Sequence, residues 1–457
     1  MKRVIGLFTM CLMFLFAIIA HADSSFLSEY EKDPLPKLKV PNVKTNVLKN
    51  GVRCFLMEDH TLPIVKIAIA IRVGRIYDPS DKVGLAALVG MTMRSGGTAD
   101  LTPFEFDTAV DSLGANLSSA IGSEMGTASL KVLSEDLEEN LSLLIDMVFK
   151  PRFDEKRFNV SRHKLAEALR RERDDPPSYA SRLYRQLVYG ENSPWARIPK
   201  MEKLPEITVD DARAFHKKYF KTNNMMIAAA GDFDSGKLLR LIEHLTENAP
   251  KGDIVFPMVK QVDVSFKPEV RKMDMPLTQA YIRMGHLGVR RHNPDWFSIY
   301  VMGYILGASN FKSRLMEDIR TKRGMAYSIS GGVSQGTDRG LFVVNLSTSL
   351  ENESKAIELV REHIMRLWKD GDITDDELEF AKSSMLSGMI FEIDSPYKVV
   401  TSRIRFHFYD YPDDYWLVAY DGVEAVSKED INRVARKYLH PDSLKVLMLG
   451  PEGKAKK

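Results

Sequence analysis

Cysteine is almost missing from this 457-residue chain, with only Cys11 and Cys54 present. So few thiols exclude a fold stapled by several disulfides, and the core must supply the stability. An excess of one charge is also missing. Lys and Arg number 64 against 62 Asp and Glu, and this balance argues against nucleic acid as a partner. No second long apolar run follows the one near the start, so no transmembrane helix is expected beyond it. None of the ten histidines pairs into H-x-x-E-H or H-E-x-x-H. There is no G-x-S-x-G, and Cys54 sits in a predicted strand, so no serine or cysteine nucleophile is signalled. Gly331, Gly332 and Gly336 lack the strand-loop-helix setting of a phosphate loop and read as turns.

What is present begins with an export signal. Lys2 and Arg3 precede an apolar run from Val4 to Ile19, and Ala20-His21-Ala22 supplies small residues at the two positions a signal peptidase reads. The expectation is a signal peptide over residues 1–22 and a periplasmic or extracellular mature protein. Removing it leaves 62 basic against 62 acidic side chains and Cys54 as the lone cysteine. Hydrophobic content of 44% with 28% charged residues then describes an ordinary globular protein rather than a disordered one.

The chain is also written twice. Asp211, Tyr219 and Gly231 recur as Asp430, Tyr438 and Gly450, each pair 219 residues apart. The same spacing carries Asp175-Pro176-Pro177 onto Asp394-Ser395-Pro396 and Gly84 onto Gly303. Two homologous domains are expected, at 38–250 and 268–457, joined by a linker over 251–267 that lacks helical periodicity. Val65 to Val73, Ala128 to Val132 and Met225 to Ala230 read as strands. Asp136 to Phe149 and Asp154 to Arg173 read as helices, the second stopping before Pro176. Thr208 is placed to cap a third helix. The second half repeats the scheme with helices over 295–306, 353–369, 375–391 and 427–438. The fold class is α+β, each domain a mostly antiparallel sheet backed by helices on one side.

Several segments resemble the M16 (pitrilysin/insulinase-type) peptidase family, in its bacterial two-domain branch. They include Leu48-Lys49-Asn50-Gly51-Val52-Arg53, Gly84-Leu85-Ala86, Tyr189-Gly190, Asn223-Asn224, Ser313-Arg314-Leu315 and the run Arg320 to Tyr327. The resemblance spans nearly the whole chain after residue 38 and reproduces the duplication. It implies a zinc helix of the pattern G-x-A-H-x-x-E-H, in which two histidines one turn apart hold the metal and the glutamate polarises water. The matching stretch carries Ala87 and Met91 at the ligand positions and Gly90 at the base position. Counting on to the third ligand lands on Ala168, beside Glu167. This chain is therefore expected to bind no metal or other cofactor. His244 reads as helix surface, His60 as a structural residue of a hairpin, and His286 and His292 as surface residues flanking a turn.

Arg320 and Tyr327 match the pair that the family sets across the cleft from zinc. The resemblance implies that the arginine donates to substrate carbonyls and that the tyrosine hydroxyl helps stabilise the tetrahedral oxyanion. In the two-chain peptidases of this branch one chain carries zinc and the other this pair. The expectation is a non-catalytic subunit, inactive alone, that binds peptide and supplies Arg320 and Tyr327 to the zinc site of a catalytic M16 partner bearing H-x-x-E-H. The alternative is a stand-alone peptide-binding or structural scaffold that has lost peptidase activity.

Overall fold

A computed structural model describes residues 38–309 and 312–451. The expected signal peptide lies outside the described residues. From Val40 onward the chain forms one compact unit. Its first half builds a six-stranded sheet from β1 (Lys44–Val47), β2 (Arg53–Glu58), β3 (Ile64–Ile71), β4 (Asn116–Ile121), β5 (Gly126–Leu133) and β6 (Met225–Gly231). The second builds a five-stranded sheet from β7 (Glu269–Asp274), β8 (Ala280–Leu287), β9 (Ser328–Val333), β10 (Leu341–Thr348) and β11 (Lys445–Gly450).

The strand orders are β1-β2-β6-β3-β5-β4 and β7-β11-β8-β10-β9. Apart from the extra edge strand β1, these are one topology. Each sheet has one parallel pair, β2 with β6 and β7 with β11, and the other pairings are antiparallel. The chain between the sheets, residues 251–268, carries no helix or strand.

The helices around these sheets include α1 (Leu85–Ser95), α2 (Glu155–Arg171), α3 (Pro176–Tyr189), α4 (Val209–Tyr219), α5 (Trp296–Gly303), α6 (Asp375–Met389) and α7 (Pro396–Phe408). Thr208 caps α4 as expected, and Asp211 returns the bond to make a reciprocal capping box, which Ser427 and Asp430 repeat on the helix Lys428–Tyr438. Pro176 and Pro396 each take the first turn of their helices, where the missing N–H costs nothing.

The halves exchange a helix. Helix α7 of the second half packs on β2 and β6 of the first sheet, and α3 of the first half packs on β8 and β11 of the second. Strand alternation shows how. Met225, Ile227 and Ala229 enter the main core of the first half, while Met226, Ala228 and Ala230 are buried outside it. Phe55 on β2 faces the same way and lies 6.2 Å, ring to ring, from His407 of α7. Each sheet is thus covered on its second face by the other half, so helices do not lie on one side only. The apolar run Met225-Met226-Ile227-Ala228-Ala229-Ala230 follows from this, because a strand buried on both faces has no polar side to show.

Three local expectations need correction. Gly331 and Gly332 are not turn residues but part of β9, where the chain following α5 passes so close that a Cβ on Gly307 would come within 2.7 Å of the Gly331 nitrogen. Gly303 is not the counterpart of Gly84, which precedes α1 at φ +110, because Gly303 ends α5 and lies against Val333 of β9. Its packing matches Gly90, which lies in the same manner against Ile121 at the end of β4. His286 is buried, 3% exposed, rather than on the surface. Its Nε2 accepts from the His440 N–H at 3.2 Å, so its Nδ1 donates to the Leu287 carbonyl at 2.7 Å.

Candidate functional site

The N-terminus of α1 is anchored by Asp78. Its two carboxylate oxygens accept from the N–H groups of Gly84 and Ala86, each at 2.8 Å. Asp78 is 5% exposed, and burial pushes its carboxyl up to about 6 despite those bonds and the nearby charge of Arg197. The helix then presents Ala87 and Met91 on its half-buried side.

Gly90 faces elsewhere. A Cβ there would come within 2.6 Å of the Ile121 nitrogen and 2.9 Å of the Ala120 carbonyl carbon, and the Gly90 carbonyl accepts from Ser119 Oγ at 2.6 Å. The position that would carry the catalytic base is occupied by helix–strand contact. Ala168, where the sequence count placed a third ligand, is exposed on the far face of α2, and Glu167 beside it is paired with Arg170 at 2.6 Å. The count is off by helical phase. The residues of α2 that share a cavity with Ala87 are Leu165 and Leu169, one turn apart. Two leucines and an alanine offer zinc no donor, so this site does not fit the metal. Among the described residues no group of three or more His, Cys, Asp or Glu could hold an ion.

Arg320 and Tyr327 lie together in the second half. Arg320 is half-buried on a stretch of π-helix, Met316–Lys322. Gly324, at φ +63, turns the chain, its N–H donating to the Arg320 carbonyl at 3.1 Å. The chain then enters β9, and the Tyr327 N–H donates to the Ser347 carbonyl at 2.9 Å. Arg320 Nε donates to the carbonyl of Tyr327 at 3.1 Å. The Tyr327 ring is left 61% exposed at the entrance to the sheet's edge strand. Neither residue lines the cavity at Ala87.

Sequence reasoning missed Asp78 and the arginines around that cavity. Arg283 left a signal, since a charged residue stands inside the otherwise apolar strand Ala280–Leu287. His244 is exposed on a helix, as expected. His60 pairs with Asp232 at 2.6 Å, but in a connection and not in a hairpin, because β6 lies between β2 and β3 in the sheet.

Two sheets of one topology, each with a helix of the other half on its second face, define a duplicated α+β fold. The segment 53–188 matches the family model described as insulinase (peptidase family M16), and 206–385 matches that of the peptidase M16 inactive domain. The chain belongs to the M16 family. It is 24% identical over 354 residues to an uncharacterized zinc protease, YmxG, of Bacillus subtilis, covering 77% of this chain and 85% of that protein. It is 22% identical over 378 residues to the non-peptidase homolog YmxG of Helicobacter pylori, covering 82% and 86%. The crystal structure of a peptidase M16 inactive domain from Pseudomonas fluorescens superposes with a TM-score of 0.82 at 24% identity, covering 91% of this chain and all of that one. Among the described residues no helix is long and apolar enough to cross a membrane.

Proposed function

We propose that this chain is the non-catalytic subunit of an exported zinc-peptidase complex, periplasmic or extracellular after removal of residues 1–22. In this reading residues 38–250 form the domain with the degenerate zinc motif, 251–267 the linker, and 268–457 the domain carrying Arg320 and Tyr327. The partner is a catalytic M16 chain that holds zinc through H-x-x-E-H, and this chain helps enclose the peptide.

The observation that carries the proposal is the exposure of Tyr327 beside Arg320. A tyrosine 61% exposed adds little to its own fold, and the bond from Arg320 fixes the main chain on which it stands. Such a phenol is oriented to donate outward, where a developing oxyanion on a partner-bound peptide would meet it. On the other side stand Ala87, Gly90 and Met91, which supply neither ligands nor base. The chain retains the half of the apparatus that is useful only to someone else's metal.

Affinity purification of the tagged full-length protein from its native cells tests this. A stoichiometric second M16 chain bearing H-x-x-E-H should co-elute, with chelator-sensitive peptidase activity. Recovery of this chain by itself, or only as a homodimer, would favour the scaffold reading instead.

A further inference from the structure

The cavity at the lost zinc position has a volume of about 660 Å³ and an arginine-rich wall. Arg75, Arg182, Arg185 and Arg197 come from the first half and Arg283 from β8 of the second. Two acidic residues, Asp78 and Glu172, line it as well. Glu172 is paired with Arg182, and Asp78 is taken up by the amides of α1. Among the described residues, no carboxylate stands in ion-pair range of the other four guanidinium groups.

Arg283 is the most telling, at 7% exposed. Its donors reach only neutral acceptors, namely Ser181 Oγ at 3.2 Å, the Ile282 carbonyl at 3.1 Å and the Pro177 carbonyl at 2.9 Å. One N–H on each Nη is left over. Burial lowers its pKa to about 10, so it stays charged at neutral pH. Arg182 Nε, Arg197 Nε and Trp195 Nε1, all on residues of the same wall, are buried donors without an acceptor in the protein. Every buried polar atom of the wall that lacks a partner is a donor. Five arginines line the cavity against two carboxylates, so positive charge is in excess there, although Asp78 acts on Arg75 and Arg197 and Asp175 acts on Arg283 from beyond ion-pair range.

We infer that this cavity binds the C-terminal carboxylate of a peptide. The guanidinium forks match a carboxylate in shape and charge. The floor chooses among anions. Ala87, Leu165 and Leu169 give an aliphatic surface beside the arginines, which an aliphatic last residue covers and inorganic phosphate does not. The volume falls in the ordinary range for small-ligand sites and suits two or three residues. The degenerate zinc helix has thus become the wall of an anion site, one that holds a peptide by its end. The inference rests on the reading of this chain as a peptide binder but requires no partner.

Fluorescence anisotropy on the full mature chain decides it, with a labelled hexapeptide ending in Leu-Leu as the free acid and as the C-terminal amide. The acid should bind saturably, and the amide at least roughly tenfold more weakly, as expected for loss of a charge-assisted pair. Added salt should weaken the acid more than the amide. The double variant Arg75→Gln/Arg185→Gln alters two exposed rim residues, so it should fold normally and weaken the acid selectively. Arg283→Leu should abolish binding, but it also removes bonds between the halves, so the rim variant carries the test. Equal binding of acid and amide, or no binding of either, overturns the carboxylate site. Inorganic phosphate displacing the peptide at micromolar concentration makes it an inorganic-anion site and overturns the peptide reading of the cavity. Slower turnover of the two-chain complex with Tyr327→Phe, alongside any of these failures, would leave the subunit proposal standing alone.

Discussion

Arg320 Nε and the carbonyl oxygen of Tyr327 are 3.1 Å apart, and that bond spans a turn made by Gly324 in left-handed conformation. The side chain of the arginine fixes the main chain of the tyrosine. The two residues are thus joined in one unit, with Arg320 half-buried at its base and Tyr327 exposed to solvent.

In the reconstituted complex, Tyr327→Phe should leave folding and partner binding unchanged and lower kcat by roughly 10²–10³, the usual cost of one oxyanion donor. Exposed substitutions of this kind shift stability by no more than about 0.5 kcal/mol. Arg320→Ala should raise KM by loss of a substrate contact and also lower kcat, because it frees the Tyr327 main chain. Steady-state kinetics of the three complexes at equal subunit concentration check this. An unchanged kcat for Tyr327→Phe removes the role in trans.

Much of the fold was legible because it repeats. A capping box such as Thr208 with Asp211 is a local signal, and so is the apolar run of β6. The exchange of α3 and α7 between sheets was not legible. It depends on contacts between residues far apart in sequence, such as Phe55 with His407. Glycine misled twice, for different reasons. Gly331 and Gly332 read as turns but stand in β9 where the chain after α5 approaches closely, and sequence cannot tell close approach from a turn. Gly303 was matched to Gly84 by spacing alone, whereas it packs against β9 at the end of α5. Ala87, Gly90 and Met91 were readable as non-ligands, but the true wall residues Leu165 and Leu169 required the phase of α2, which a count to Ala168 does not supply. Arg320 and Tyr327 were found only through family resemblance, since an arginine and a tyrosine seven residues apart carry no pattern of their own.

Acid should destabilise the protein through two buried histidines. Burial lowers both His216 and His286 to about 4, and each is held neutral, His216 Nε2 donating to the Val148 carbonyl at 2.8 Å. In the unfolded chain these imidazoles take up protons near the ordinary value of about 6.5. Between about 6.5 and 4 the unfolded state binds more protons, so stability falls as pH falls through that window. The contribution lost across the whole window is on the order of 3 kcal/mol for each histidine. Asp78 works in the opposite sense, its raised pKa of about 6 adding stability as it protonates, which offsets part of the loss. NMR titration of the histidine resonances checks the assignment. His216 and His286 should not titrate above about pH 5, and titration of both near the ordinary value would refute it.

Cys54 should be inert in the native state. It is buried in β2, and burial pushes its thiol up to about 12, leaving almost no thiolate at neutral pH. A folded chain lacking residues 1–22, in which Cys54 is the one cysteine, should release no colour with Ellman's reagent, and about one equivalent once unfolded in guanidinium. Labelling rate against denaturant then reports opening of the first sheet. Prompt reaction of the folded protein would show that β2 is far less protected than its packing implies.

Zinc cannot be restored to α1 by substituting the missing side chains. The purified chain should carry no stoichiometric metal. Ala87→His faces a cavity and should be tolerated, whereas Gly90→Glu drives a Cβ into the backbone of β4, 2.6 Å from the Ile121 nitrogen. Backbone cannot swing aside as a flexible side chain can, so the cost should reach or exceed the roughly 1–3 kcal/mol of ordinary overpacking. Even a tolerated glutamate would lack the third ligand, because Ala168→Glu places its carboxylate on the exposed face of α2. Leu165 or Leu169 is the position that shares the cavity with Ala87. Urea unfolding of the single variants and metal analysis of Ala87→His/Gly90→Glu/Met91→His/Ala168→Glu test both points. The Gly90→Glu midpoint should drop while that of Ala87→His stays close to the parent, and the quadruple variant should hold no firm zinc. A Gly90→Glu protein as stable as the parent, or a quadruple variant retaining one zinc through gel filtration, would mean that α1 can still turn its old face to the cavity.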